Sequence, residues 1–277
     1  ARGLVAGGWT GSAYFGGIDY VNISSSGNAA DFGDSSQARE ALGSCSNGTR
    51  GLWGGGNPGS IVDTIDYVTI STLANAADFG NLTDARYNQP SAISNGTRGL
   101  FGGGNDGSVA STIIDYVNVA STGNATDFGD MTDGRQGSAC YGNGTRGVWH
   151  AGHDGSSVSN IIDYVNMAST GNAQDFGDAT VARGSGCSGS SDGTRGVAGG
   201  GSSRSNVIDF TIIASTGNAT DFGDLTAGKD GVAACSNGTR GIFAGGQTPS
   251  SINVIDFIVM ASSGNASDFG DLTASFS

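Results

Sequence analysis

Carboxylates are the most numerous groups in this chain that could do chemistry, and their spacing is regular. Aspartates recur in Ile-Asp-Tyr/Phe at Asp19, Asp66, Asp115, Asp163, Asp209 and Asp256. They recur again in Asp-Phe-Gly at Asp31, Asp78, Asp127, Asp175, Asp221 and Asp268. Asp34, Asp130, Asp178, Asp224 and Asp271 follow the second set, with Asn81 in that slot in the second unit. Two carboxylates three residues apart, with asparagine nearby, offer hard oxygen ligands for calcium. The segment lacks the alternating Asp-x-Asp-x-Asp of a calcium loop, so it is assigned no metal. Asp-Phe-Gly also matches a kinase tripeptide, but no phosphate-binding loop or catalytic loop accompanies it.

Groups outside the repeats are few. Asp63, Asp106 and Asp154 are candidates for an acid/base pair in glycoside hydrolysis, yet nothing in the sequence places two of them at a working separation. His150 and His153 are the only histidines, replace repeat glycines and lie beside Asp154. They make a partial metal set, one ligand short of the three that a catalytic zinc normally takes from the protein. Glu40 is the only glutamate and Lys229 the only lysine, and no nucleophile-elbow or Ser/His/Asp pattern is visible. The expectation is a chain that is not an enzyme and carries no cofactor.

The elements that position these groups follow from internal repetition. Thr-Arg-Gly places arginines at Arg50, Arg98, Arg146, Arg195 and Arg240, and Arg2 opens the chain in the same phase. The arginine spacings are 48, 48, 48, 49 and 45 residues, so the repeats start near 1, 49, 97, 145, 194 and 239. Each unit reads as four short strands. An apolar run stopped by glycines, such as Gly51-Leu52-Trp53, is followed by a β-branched and aromatic run, as in Ile113 to Ala120. The second run is apolar on both parities apart from its aspartate, which requires cover on both faces. A short run through Asp-Phe-Gly follows, and a fourth, as in Val232 to Ser236, ends at an Asn-Gly turn. No stretch carries a helical apolar stripe.

Four strands in about 47 residues is the size of a propeller blade. A lone four-stranded sheet with two apolar faces is unstable, and a ring gives every sheet two neighbours. A linear solenoid would need polar capping repeats, which neither end shows. The expected fold is therefore all-β, a six-bladed β-propeller of four-stranded antiparallel blades, filling residues 1–277 as one domain. The chain begins after the strand that precedes Arg2 and ends as it enters the next one, so the ring is expected to close with strands from both termini.

The order Ala-Arg (as at Ala85-Arg86), strand, turn, apolar run, Gly-Gly, Asp-Tyr resembles the kelch repeat over all six units. The kelch tryptophan after the Asp-Tyr strand is absent, and the phenylalanine of Asp-Phe-Gly stands roughly in its place. The wording Ile-Asp-Tyr-Val-Asn, Ala-Ser-Thr-Gly-Asn-Ala-Thr-Asp-Phe-Gly-Asp is also similar to repeats in virion structural proteins of marine bacteriophages. That likeness implies a tail or appendage protein on the virion surface or otherwise outside the cell.

Charge placement supports a scaffold role for most ionic groups. Of 12 basic residues six are the repeat arginines, five occupy a second slot (Arg39, Arg86, Arg135, Arg183, Lys229), and Arg204 alone stands outside. Charges repeated in every unit, Arg50, Arg98, Arg146, Arg195 and Arg240 with Asp66, Asp115, Asp163, Asp209 and Asp256, are expected to hydrogen-bond turns or pair between blades. The net charge of −13 argues against nucleic acid as a partner, and no apolar run suits membrane insertion. Cys45, Cys140, Cys187 and Cys235 share the slot that Ile93 fills in the second unit, which predicts free, buried thiols.

Recognition in a repeat scaffold belongs where the units differ. The most variable segment lies between the glycine cluster and Ile-Asp-Tyr/Phe, and its six copies should emerge on one face. It supplies Trp9, Tyr14 and Phe15, then Asn57, then Asn105 and Asp106, then His150, His153 and Asp154, then Arg204. Tyr87 lies in a second variable set, Tyr87-Asn88-Gln89-Pro90. Aromatic faces stack on sugar rings while amides and carboxylates take the hydroxyls, so Trp9, Tyr14 and Tyr87 are candidates for sugar contact. The expected partner is a host-surface glycan or another virion protein. A purely architectural virion module and a glycan-degrading propeller are the alternatives.

Overall fold

A computed structural model describes residues 2–88, 91–184 and 186–275. The chain is a six-bladed β-propeller, consistent with kelch-like repeats, and no helix occurs among the described residues. The first sheet holds β1 (Arg2–Ala6), β2 (Gly17–Asn22) and β3 (Ala30–Asp34). The second holds β4 (Gly43–Ser46), β5 (Arg50–Gly54), β6 (Thr64–Thr69) and β7 (Ala77–Asn81). The third holds β8 (Ser91–Ser94), β9 (Arg98–Gly102), β10 (Ile113–Asn118) and β11 (Thr126–Asp130). The fourth holds β12 (Ala139–Gly142), β13 (Arg146–His153), β14 (Val158–Asn166) and β15 (Gln174–Arg183). The fifth holds β16 (Cys187–Ser191), β17 (Arg195–Gly200), β18 (Val207–Ile212) and β19 (Thr220–Asp224). The sixth holds β20 (Ala233–Ser236), β21 (Arg240–Ala244), β22 (Val254–Val259) and β23 (Ser267–Asp271).

All pairings are antiparallel, and each complete sheet begins with the strand before the Asn-Gly turn, which is Asp192-Gly193 in the fifth. A blade thus starts one strand earlier than the Arg-led sequence phase. The short first strands β4, β8, β12, β16 and β20 lie side by side around the axis, and β20 also approaches β1. Apolar packing lies between blades. Leu52, Ile65, Phe79 and Leu82 of the second blade bury against Ala92, Phe101, Val117 and Val119 of the third. Val5, Val21 and Ile23 of the first blade bury against Ile242, Ile255, Phe269 and Leu272, which closes the ring.

The Asp-Phe-Gly strand shows why the repeat wording is strict. Its aspartate carboxylate accepts the glycine N–H, as Asp127 does from Gly129 at 3.1 Å. Its phenylalanine is core: Phe79 meets Tyr67 edge-on with ring centroids 5.8 Å apart. Its glycine sits at a bulge where Ile65 opposes Gly80 and Asp66 opposes Asp78. Gly80 has φ +145°, and a Cβ there would lie 2.5 Å from the carbonyl oxygen of Gly123 in the next blade.

Closure differs from the expectation in one respect. Five blades have four strands, while the first has three among the described residues, because β1 pairs only with β2. Ala274 and Ser275 form no strand, and Phe276 and Ser277 lie outside the described residues. Packing, the side-chain bonds of Asn28 and Asp19, and the backbone bonds from Gly27 to Phe269 and from Ala29 to Asp271 join the first and sixth blades.

Candidate functional site

Four of the blades put two kinds of segment on one face. The segment ahead of the first strand and the loop between the second and third strands run side by side, tied by paired backbone bonds. Glu40 and Asn57 exchange bonds of 3.2 and 3.0 Å, Tyr87 and Asn105 of 3.0 and 2.9 Å, Gln136 and His153 of 3.0 and 2.9 Å, and Asp230 and Gln247 of 3.3 and 2.8 Å. Both variable sets therefore form one surface on a common face. Glu40, Gln136, Asp230 and Gln247 belong to it, although sequence reasoning did not single them out as site residues. Their signal was present: the slot after the second cation reads Glu40, Tyr87, Gln136, Gly184 and Asp230.

Aromatics mark two places on this face. Trp9 and Tyr14 are half-buried and meet edge-on with centroids 5.0 Å apart, the two ends of a small hairpin. Ser251 of the sixth unit donates its hydroxyl to the Trp9 carbonyl at 3.3 Å, linking the loops across the seam. Tyr87 is half-buried beside Asn88, whose amide donates to Gln136 Oε1 at 2.8 Å. Phe15, in contrast, packs against the core cluster of Val5 and Val21.

Polar loop residues are largely spent on their own turns. Asn57 Oδ1 accepts the Gly59 N–H at 2.8 Å, and Asn105 Oδ1 accepts that of Gly107 at 2.7 Å. Asp106 accepts the N–H groups of Val109 and Ser108 and the Ser108 hydroxyl, which together hold its carboxyl below the usual range. Asp154 is held lower in the same way by Ser157 and Ser156. Both are fixed anions that cap their loops, the wrong state for a general acid. Arg204 is exposed, and its charge acts on Asp230, whose carboxyl burial raises. Burial also raises Glu40.

The two histidines do not share a site. His150 is fully buried in β13, at the same strand position as the buried Gly54 of β5 and Gly102 of β9. His150 Nδ1 and the Tyr141 hydroxyl are 3.0 Å apart, Thr211 donates to that hydroxyl at 2.9 Å, and His150 Nε2 lies 3.4 Å from Asp209. Burial lowers the His150 pKa, with Arg183 and Arg135 adding to it against the pull of Asp209. His150 is thus a neutral core residue. His153 stays on the loop face, accepting the Gly155 N–H at 2.9 Å. Among the described residues no three His, Cys, Asp or Glu side chains gather to hold a metal.

Two separate ladders use the repeat charges. The Ile-Asp aspartates pair with the second cation slot: Arg39 with Asp66 at 3.0 Å, Arg86 with Asp115 at 2.5 Å, Lys229 with Asp256 at 2.9 Å, and likewise Arg135 with Asp163 and Arg183 with Asp209. All ten side chains are fully buried. The Thr-Arg-Gly arginines instead cover the aromatic ring after each aspartate, as Arg50 covers Tyr67 at 4.6 Å. Arg50, Arg98, Arg146 and Arg195, and Arg2 in the same phase, also reach a carbonyl of the next blade, from Arg2 to Ile70 through Arg195 to Met260. Arg240 covers Phe257, but its Nη1 has no partner among the described residues.

The cysteines are free, with Cys187 buried and the other three half-buried beside the axial channel. Burial pushes the thiols up, Cys187 to about 11 and Cys235 to about 12. The channel contains cavities of about 150 and 260 Å³. In comparisons with known proteins the chain matches no family model and no curated sequence.

Proposed function

We propose that this propeller is a non-catalytic binding module that engages a surface glycan or a protein partner through its loop face. The observation that carries the reading is the division of labour between repeats and loops. The Ile-Asp aspartates other than Asp19, the cations of the second slot and the Arg-Gly arginines are buried in ion pairs or stacked on rings. The exposed Asp-Phe-Gly aspartates bond their own strands, as Asp31, Asp127 and Asp268 accept the glycine N–H, and the residues that differ are gathered on one tied surface. Trp9 and Tyr14 supply aromatic planes there, with amides and hydroxyls nearby, as sugar recognition requires. The likeness of the repeat wording to virion structural proteins of marine bacteriophages supports display on a tail or appendage outside the cell, with a host-envelope component as the partner.

A glycan panel and isolated host envelopes, probed with the chain and with Trp9, Tyr14 and Tyr87 changed to alanine, test this reading. Binding that the triple variant loses supports it. Absence of binding by both proteins argues for a purely architectural module, and release of reducing sugar argues for a hydrolase.

A further inference from the structure

Successive blades pack by a repeated match of large against small. The second strand of a blade ends in a large residue and then a small one: Trp53 and Gly54 in β5, Phe101 and Gly102 in β9, Phe243 and Ala244 in β21. The large ring rests on the small residue of the preceding blade. A Cβ at Gly54 would lie 2.8 Å from the ring of Phe101, one at Gly102 2.7 Å from that of Trp149, and one at Gly199 3.1 Å from that of Phe243. Between the fourth and fifth blades the match is reversed. His150 stands in the small position of the fourth blade and Ala198 in the large position of the fifth. Here the ring comes from the preceding blade, and it is an imidazole.

Two further replacements serve that imidazole. By register Tyr141, not Cys140, takes the position of Cys45, Ile93 and Cys235. Thr211 takes that of Val68, Val117 and Val165. Thr211 donates to the Tyr141 hydroxyl at 2.9 Å, which leaves that hydroxyl to donate to His150 Nδ1 at 3.0 Å. His150 then carries its proton on Nε2, 3.4 Å from Asp209. Neutral histidine thus completes a chain of donors that crosses from the fifth blade to the fourth and back. A proton on Nδ1 breaks this chain, because two donors then meet between the ring and the tyrosine hydroxyl. The groups that face the imidazole are Tyr141 of β12, Asp209 of β18, Arg183 at the end of β15, Arg135 ahead of β12, and the Cys187 thiol of β16, 3.9 Å from the His150 carbonyl oxygen. Both arginines already hold their own carboxylates, Asp209 and Asp163, so a charge on the buried ring lacks a counter-ion of its own.

We propose that the interface between the fourth and fifth blades is an acid-operated latch, closed by the neutral Thr211–Tyr141–His150 chain and opened ahead of the other interfaces when His150 takes up a proton. No other interface can respond in this way, because His153, the second of the two histidines, lies on the loop face. The latch is built from core residues and is independent of what the loop face binds.

Thiol labelling of the complete chain, resolved by cysteine, tests this at pH 7 and pH 5 with a dipyridyl disulfide, a reagent that stays reactive in acid. Rates are divided by those of the unfolded chain at the same pH. Cys187 reports on the latch, since its thiol donates to the Gly137 carbonyl across this interface at 3.1 Å. Cys45, packed against Gly99 between the second and third blades, is the internal control. From pH 7 to pH 5 the relative rate at Cys187 should rise about ten- to thirtyfold, the span open to one histidine proton, while that at Cys45 changes less than about threefold. His150→Gln should abolish the rise. So should His150→Gly combined with Ala198→Phe, which restores the match of the other interfaces. No rise at Cys187, an equal rise at Cys45, or a rise that persists in either folded variant overturns the proposal.

Discussion

The Thr273 hydroxyl lies 2.7 Å from the carboxylate of Asp19, which is 254 residues away in sequence, and the Thr273 N–H donates to the same carboxylate at 3.1 Å. Thr226 and Asp256 make the same joint between the fifth and sixth blades, at 2.6 and 3.3 Å. One repeated bond thus serves both as an internal link and as the closure of the ring. Thr273→Val should destabilise the protein by about 1–3 kcal/mol, the cost of an unsatisfied buried acceptor, and Thr226→Val by a similar amount. Urea unfolding checks both, and a neutral Thr273→Val beside a costly Thr226→Val would mean an open array.

The buried ion pairs should behave as coupled units. Arg86 is dehydrated, which lowers its pKa, and the nearby carboxylates of Asp115 and Asp84 oppose that shift. Arg86→Met leaves Asp115 charged and unpaired, at a cost of about 3–5 kcal/mol. Adding Asp115→Asn should recover part of this loss, and a double-mutant cycle in urea should show the coupling.

Acid should weaken the fold through His150. Its folded pKa lies below the ordinary histidine value, so the unfolded chain takes up the proton first as pH falls. The contribution is complete above about pH 6.5 and is lost below it, by at most about 1.4 kcal/mol per pH unit. Asp209, Arg183, Arg135 and Tyr141 surround the ring, and the Asp209 carboxyl, which burial raises but His150 and Arg183 hold down, acts in a more acidic window. Melting the protein and His150→Gln at pH 7 and pH 5 should show a smaller pH effect in the variant.

Backbone geometry makes a sharper claim at the Asp-Phe-Gly bulges. Gly80→Ala combines φ +145° with a contact at 2.5 Å to the next blade, whereas Gly48→Ala combines φ +83° with open space. The first should cost clearly more than the roughly 1–2 kcal/mol of a left-handed alanine alone, and the second about that amount. Paired thermal melts distinguish them.

The ring was legible because the repeat is nearly verbatim and its third strand is apolar on both faces. Blade count, strand order and the common loop face followed from that pattern. The cation partners did not: Arg50 and Asp66 look equally repetitive, but the blade-to-blade segment brings Arg39, not Arg50, to Asp66. His150 reads as a loop residue because it replaces a glycine, but that glycine slot is itself the buried end of β5 and β9, and there the ring lies beside Tyr141 and Thr211.

The central claim is that the differing loops carry recognition while the repeats carry the fold. The direct test replaces residues 9–14, 57–60, 105–108, 153–157, 202–205 and 247–251 with one common loop, then measures host-envelope binding beside the unaltered chain. The account predicts an unchanged β-sheet circular-dichroism spectrum and cooperative melt with binding abolished. Full binding by the folded common-loop protein would contradict it.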